Sequence, residues 1–352
     1  MRARDALRAT LALAAVTAAV AASPRCPAGP APDAALALEV RPVPLNVDDP
    51  KQTAVGPLVY RGGLWLHSDD PRFGGLSDLR VSADRRRLVS VSDCGHGFSA
   101  GARYDGEGRL AGLDEPRLVP LLGPHGRPLA VDEVDAEGLC ADGDGLVVTF
   151  EGRHRLWRYA ADPPFGGWPV PIEGPPELST LPSNSGIEAA TRLLDGRLLL
   201  IAEGPTTARN LSSAWIGRDH DWTRYTFPLF FADDAPAPFR ATGLALLPGG
   251  DLLVLERRFP PLAARLRRVA AADLSRGDFR GTEVARLQAP LTLDNMEGLD
   301  VARGPGGETL LYLVSDDNNC AKRGSVAHTG LQRTLLLMFE FTTAGPSPSP
   351  SP

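Results

Sequence analysis

The sequence predicts an all-β protein, a β-propeller of five blades. Three observations predict it. A short motif recurs at intervals of 60, 51, 54 and 55 residues. A second, apolar element follows each copy. The chain's 37 glycines and 33 prolines punctuate many short apolar runs rather than forming one low-complexity block, as expected for short strands joined by turns. A recurrence of this period marks a repeat architecture, and about four strands per unit is the composition of a propeller blade. A pair of β-sandwiches would not give five matching units.

The first element is the motif itself. Its copies are FGGLSDLRV from Phe73, VDAEGLCA from Val134, NSGIEAAT from Asn184, FRATGLAL from Phe239 and DNMEGLDV from Asp294. In register they align Ser77, Glu137, Glu188, Thr242 and Glu297. The second element is a polar turn, a continuous apolar run and then an acid. RRRLVSVSD ends at Asp93, GDGLVVTFE at Glu151, DGRLLLIAE at Glu203 and ETLLYLVSD at Asp316, while GGDLLVLER contains Glu256. Both elements fit strands joined by a tight hairpin. Looser runs such as RLWRYA (155–160), RYTFPLFF (224–231) and RTLLLMFEF (333–341) complete the units. The last unit is one strand short. Residues 56–69, GPLVYRGGLWLHSD, precede the first unit and have none of their own, so they are expected to supply that strand and close the ring. The blade count is five, or six if a linker hides one.

A glutamate in the middle of an apolar strand calls for a partner or an exit from the core. In a propeller the innermost strands line a central channel, so a slot that recurs once per blade forms a ring around the axis. Glu137, Glu188 and Glu297 are therefore expected to face the channel beside Ser77 and Thr242. Asp93, Glu151, Glu203, Glu256 and Asp316 are expected to form a second ring near one mouth. Converging carboxylates repel, so they take up protons or are held by cations. Oxygen ligands without a Cys or His cluster suit Ca²⁺ better than Zn²⁺. SDDNN (315–319) adds Asp317 to the candidate ligands. The alternative is that the acids pair with arginines such as Arg153, Arg155, Arg240 and Arg257.

The ends differ from the repeats. Arg2, Arg4 and Arg8 precede an apolar run from Leu11 to Ala22, and Ala19-Val20-Ala21 fits a secretory cleavage pattern. The run is too short to span a bilayer. Residues 1–22 are thus expected to be a signal peptide directing export to the periplasm or the extracellular space. Residues 23–36 are expected to be a linker, 37–342 the propeller, and 343–352, with its Pro/Ser tail, disordered. The formal charge of −6 gives no electrostatic case for nucleic acid. The four cysteines, Cys26, Cys94, Cys140 and Cys320, allow three complete pairings or buried free thiols.

The motifs GGLSDL, VDAEGL with FEGRHRLWRY, NSGIEA with LDGRLLLIAEG, LPGGDLLVLERRF, and NMEGLD with LVSDDNN resemble the phytase-like family, described as having esterase-like activity, over residues 57–342. The resemblance implies hydrolysis of small ester or phosphate-ester substrates by an exported, metal-dependent propeller. Cys94, directly after Asp93, departs from the family pattern. No G-x-S-x-G nucleophile motif occurs. His96 and His154 lie within three residues of Asp93 and Glu151 and, with Glu137, Glu188 and Glu297, are candidates for acid–base work. Arg153, Arg155 and Arg257 are candidates to hold a substrate anion. The alternative reading is a secreted, monomeric binding propeller that catalyses nothing.

Overall fold

The computed structural model describes residues 34–206, 208, 210–231, 235–318 and 332–342. The signal segment 1–22, most of the linker and the tail from 343 lie outside the described residues.

Five antiparallel sheets form five propeller blades. Blade 1 runs Leu76–Val81, Arg87–Ser92, His96–Tyr104 and Leu110–Pro120 from axis to rim. Blade 2 runs Ala136–Asp142, Gly145–Phe150, Arg155–Ala160 and Val170–Ile172. Blade 3 runs Ile187–Arg192, Leu198–Ala202, Leu211–Arg218 and Asp221–Pro228. Blade 4 runs Pro238–Leu246, Leu252–Arg258, Ala263–Val269 and Thr282–Gln288. Blade 5 has three consecutive strands, Asn295–Arg303, Thr309–Asp316 and Thr334–Phe341. Its fourth is the N-terminal strand Leu58–His67, antiparallel to the third with Leu66 opposite Thr334 and Leu58 opposite Phe341. The ring closes as expected, by pairing the two ends of the propeller in one sheet.

The first strands of all five blades touch their neighbours around the axis. Second strands are buried on both faces, which is why Gly145–Phe150 and Leu198–Ala202 read as continuous apolar runs. The core is correspondingly divided into five clusters, one between each pair of adjacent blades. Leu64, Phe98 and Tyr312 pack between blades 5 and 1, and Val91, Leu139 and Val148 between 1 and 2. Leu198 and Trp215 pack on Val147 between blades 2 and 3. Ile201 and Val254 pack between blades 3 and 4, and Leu266 and Phe339 between 4 and 5. Each fully buried Leu, Val or Phe contributes about 1.5–3 kcal/mol. Five such interfaces offset a channel that carries buried polar groups.

The last described residues of the expected linker 23–36 include a short strand. Ala34 and Ala35 already pair with Leu118 and Arg117 at the rim of blade 1, and Glu39–Pro42 pairs with Leu64–His67 at the rim of blade 5. These additions cover sheet edges that would otherwise expose unpaired backbone groups. Cys140 is a buried free thiol and Cys94 is disulfide-bonded.

Candidate functional site

The recurring slot is a recurring β-bulge. In blade 1 the register between the first two strands slips between Leu76 and Asp78, leaving Ser77 extra. The slip falls on Glu188 in blade 3, on Thr242 in blade 4 and on Glu297 in blade 5. In blade 2, Glu137 and Gly138 together oppose Thr149. A bulged residue leaves the ladder and its side chain is re-aimed. The glutamate in NMEGLD therefore turns out of the blade's apolar alternation and into the channel. Gly298 follows it because the neighbouring inner strand lies against that position: a Cβ there would sit 2.7 Å from Asp78 Cα.

Register also corrects the second ring. The residue opposite the position before each bulge is Ser92, Phe150, Ala202, Glu256 and Ser315. The next residue faces the mouth. In four blades it is acidic: Asp93, Glu151, Glu203 and Asp316. In blade 4 it is Arg257, not Glu256. Successive strand side chains point to opposite faces, so one residue decides the outcome. Glu256 is fully buried within blade 4 and bonded to Arg265 and Arg267, each at 2.7 Å. Arg257 instead enters the acidic ring, 3.0 Å from Glu297 and 3.4 Å from Glu203.

These side chains line a pocket of about 690 Å³ at the channel mouth, with Ser77, Asp93, Glu137, Glu151, Glu188 and Asp316 among its walls. Asp135, Glu137 and Glu151 bring carboxylate oxygens within 4.8 Å of one another. On the far side Glu203 is held by Arg240 at 3.1 Å as well as by Arg257. Asn295 Nδ2 donates to Glu297 Oε1 at 2.8 Å and to Asp316 Oδ2 at 3.2 Å. The backbone N–H of Gly186 donates to Glu151 at 2.8 Å. Gly75, at φ +63°, lies against Asp93, where a Cβ would fall 1.8 Å from Oδ1. Even so, Asp93 Oδ1 and Glu297 Oε2 are buried without a hydrogen-bond partner. The site thus has two unlike sides, an acid trio on blade 2, of which Glu137 and Glu151 line the pocket, and a guanidinium on blade 4.

Burial and mutual repulsion raise these acids together. Asp93 is pushed well above the usual range by burial and then by Asp316, Asp135 and Asp317. Glu137 rises through burial and then Glu188, Asp135 and Glu151. Glu188 rises through burial and then Glu203 and Glu297, against a pull from Arg257. Burial takes Glu297 up to about 8, although Arg257 opposes it. It takes Asp316 and Glu151 up to about 7.

The other expected site residues fall outside this pocket. His96 is buried in the third strand of blade 1 and does not line it. His154 holds Pro182 O at 3.0 Å by Nε2. Its imidazole stands near Glu151 behind Gly186, whose added Cβ would meet both. Arg153 is exposed and paired with Asp132 at 2.7 Å and with Glu133. Arg155 stacks over Phe150 and Trp157 and donates to Arg153 O and Glu133 O. Neither is placed to meet a ligand in the channel. Asp317 accepts from Gly75 N at 2.9 Å, beside the ring.

Sequence reading missed Asp135, Asn295 and a deeper group. Asp135 and Asn295 each lie two residues before a bulge glutamate, the spacing of side chains on one strand face. That signal was available in VDAEGL and DNMEGL. The deeper group is Asp78, Arg80 and Asp300. Arg80 donates to Asp78 Oδ1 at 3.2 Å, to Leu299 O of blade 5 at 2.9 Å and to Ala190 O of blade 3 at 2.8 Å. Blades 1 and 3 are not neighbours, so this side chain crosses the axis.

A five-bladed propeller with buried, mutually repelling acids at one channel mouth is the class that fold and site define. The chain belongs to the phytase-like family: the family model described as esterase-like activity of phytase matches residues 71–319. A comparison with curated proteins finds no match. Among solved structures, that of U3-55K is 8% identical, with 75% of this chain and 95% of that chain covered at a TM-score of 0.40. A nidogen/laminin complex is 13% identical, with 87% and 96% covered at a TM-score of 0.43. Neither likeness bears on function. Among the described residues no helix is long and apolar enough to cross a membrane.

Proposed function

We propose that this protein is an exported, monomeric hydrolase of ester or phosphate-ester bonds that works at the channel mouth with a divalent cation, Ca²⁺ first. One observation carries the reading: two buried carboxylate oxygens, on Asp93 and Glu297, have no hydrogen-bond partner in a pocket already crowded with acids. Buried charge without a partner is costly, and a hard cation relieves that cost. The donor set is all oxygen, which suits Ca²⁺. Asp135, Glu137 and Glu151 would hold it, with Asp93 beside them. Bound there, the cation would neutralise the acids and polarise a substrate oxygen.

The chain's own groups do the rest. Arg257 faces the trio across the pocket and holds the developing negative charge of the substrate. Glu188 lies between these two sides. Burial, with Glu203 and Glu297 beside it, raises its proton affinity, and its carboxylate takes the proton of an attacking water and returns it to the leaving alcohol as the ester bond breaks. The depth of the pocket limits bulk water around the reacting bond.

The test is direct. Purified protein is assayed on p-nitrophenyl acetate, p-nitrophenyl phosphate and phytate, in calcium and in chelator. Calcium-dependent turnover of at least one is expected. Cation binding without turnover on any of them would leave a binding propeller instead.

A further inference from the structure

The acids leave open which kind of ester the pocket accepts, but its lip does not. Phe259 lines the pocket and is 65% exposed. Of the exposed large apolar residues among those described, it alone lines this pocket. It lies two residues after Arg257, just past the end of the second strand of blade 4 at Arg258, and both line the pocket. Leu262, across the turn, also lines the pocket and packs on the core between blades 4 and 5. Pro260 and Pro261 join the two, and their rings restrict the backbone of that turn. A large ring held in water beside a polar pocket marks a binding surface more often than a structural need. The walls below it carry eight carboxylates and one guanidinium. Beyond a bound cation, the chain's own walls offer a substrate anion one positive group, Arg257, which suits a substrate of low charge better than a polyphosphorylated one.

We propose that the substrate is a weakly charged ester whose apolar, preferably aromatic, limb lies on Phe259 and Leu262 while its polar centre meets Arg257. This rests on the hydrolase reading for its chemistry, but binding tests it separately. Calorimetry in micromolar calcium would compare 4-phenylbutyrate, acetate and phytate. The first two share a head group and differ in the limb. Phenylbutyrate is expected to bind about tenfold more tightly than acetate, the size of a good aromatic contact. Phe259→Ser should bring the two within about twofold, and Phe259→Tyr should restore the difference. Phe259 is exposed, so neither variant threatens the fold. Equal binding of the two acids, a preference that survives Phe259→Ser, tighter binding of phytate, or no binding at all would each overturn the proposal. Phenyl butyrate then serves as substrate. Binding with no turnover would defeat the hydrolase reading and leave the apolar lip standing.

Discussion

The inner strands bury acids at two depths, and the two depths treat them differently. At the mouth, Asp93 and Glu297 each keep a buried oxygen without a partner. A few residues deeper, Asp78 accepts from the backbone N–H of Leu79 and of Leu139, both at 2.8 Å, and from Arg80. Asp300 accepts from Val81 N at 2.7 Å. Buried polar groups are normally satisfied, and the deep end obeys that rule with groups of its own. The mouth breaks it at Glu297, in the same strand as Asp300, and at Asp93, in the turn that follows the second strand of blade 1. A fold that can satisfy acids at one depth and leaves them unsatisfied at another reserves the second depth for something it must bind. Local departures from polar satisfaction are where function is expected.

The comparison breaks first, and by the largest amount, at Arg80. Arg80→Met removes the only guanidinium that joins Asp78 to blades 3 and 5 in this group. Breaking a buried pair by removing one partner costs roughly 3–5 kcal/mol. Urea unfolding should show a loss of that size, the same with and without calcium. A loss that calcium reverses would mean that the deep end, too, is a cation site.

The mouth should behave in the opposite way. A ligand at a hundred times its Kd stabilises by about 2.7 kcal/mol, so calcium should raise the melting temperature of the wild type. Glu137→Gln should abolish that rise and leave the apo melting temperature unchanged or higher, because one repelling charge has gone. Glu188→Gln and Glu297→Gln should act in the same direction. The effect should be weaker for Glu297, whose second oxygen already meets Arg257 and Asn295. A wild type indifferent to calcium and chelator would remove the contrast between the two depths.

Acidity sharpens it further. Glu297 and Asp316 titrate near 8 and 7 in the folded protein, against about 4 in an unfolded chain. Between those values the folded state holds protons that the unfolded state has lost, so apo stability falls as pH rises from about 4 to about 8. The slope is about 1.4 kcal/mol per pH unit for each net proton. Asp78 is lifted to about 7 by burial despite Arg80, and adds to the same slope. Calcium should flatten the part that comes from the mouth and leave the part from Asp78. Thermal melts from pH 4 to 8, with and without calcium, separate the two.

How much of this was legible follows from what each signal depends on. The blades, the closing strand 58–67 and the ring of bulge residues could be read because each recurs, and five copies fix a register that one copy cannot. Glu256 was misplaced by a single residue. ER follows the apolar run in blade 4 where the other blades have one acid, and only the ladder shows which of the two faces the mouth. Asp78, Arg80 and Asp300 were not found because they are joined across the axis, between blades far apart in sequence. His96 and Arg153 were proposed from nearness in sequence to ring acids, and nearness in sequence does not carry a side chain over a strand end into the channel.

The smallest effect expected is at Arg153, and it bears on the same contrast from outside the channel. Arg153 is 62% exposed and its partners are Asp132, 59% exposed, and the buried Glu133, which keeps its two hydrogen bonds from Arg127 when Arg153 is lost. Exposed pairs are worth about 0–1 kcal/mol, so Arg153→Ala should shift stability by no more than that. Substrate affinity should stay the same. Arg257→Ala should weaken it, because Arg257 is the guanidinium that lines the pocket. It should also release Glu203 and Glu297 from the cation that now offsets them. The two changes each delete one positive charge, so long-range electrostatics affects both alike at low salt and neither at high salt. Measuring KM for the two variants at about 0.5 M salt therefore isolates position from charge. Equal changes in KM under that screening would mean that the substrate is held at the rim of blade 2, and that the guanidinium in the channel serves only its neighbouring acids.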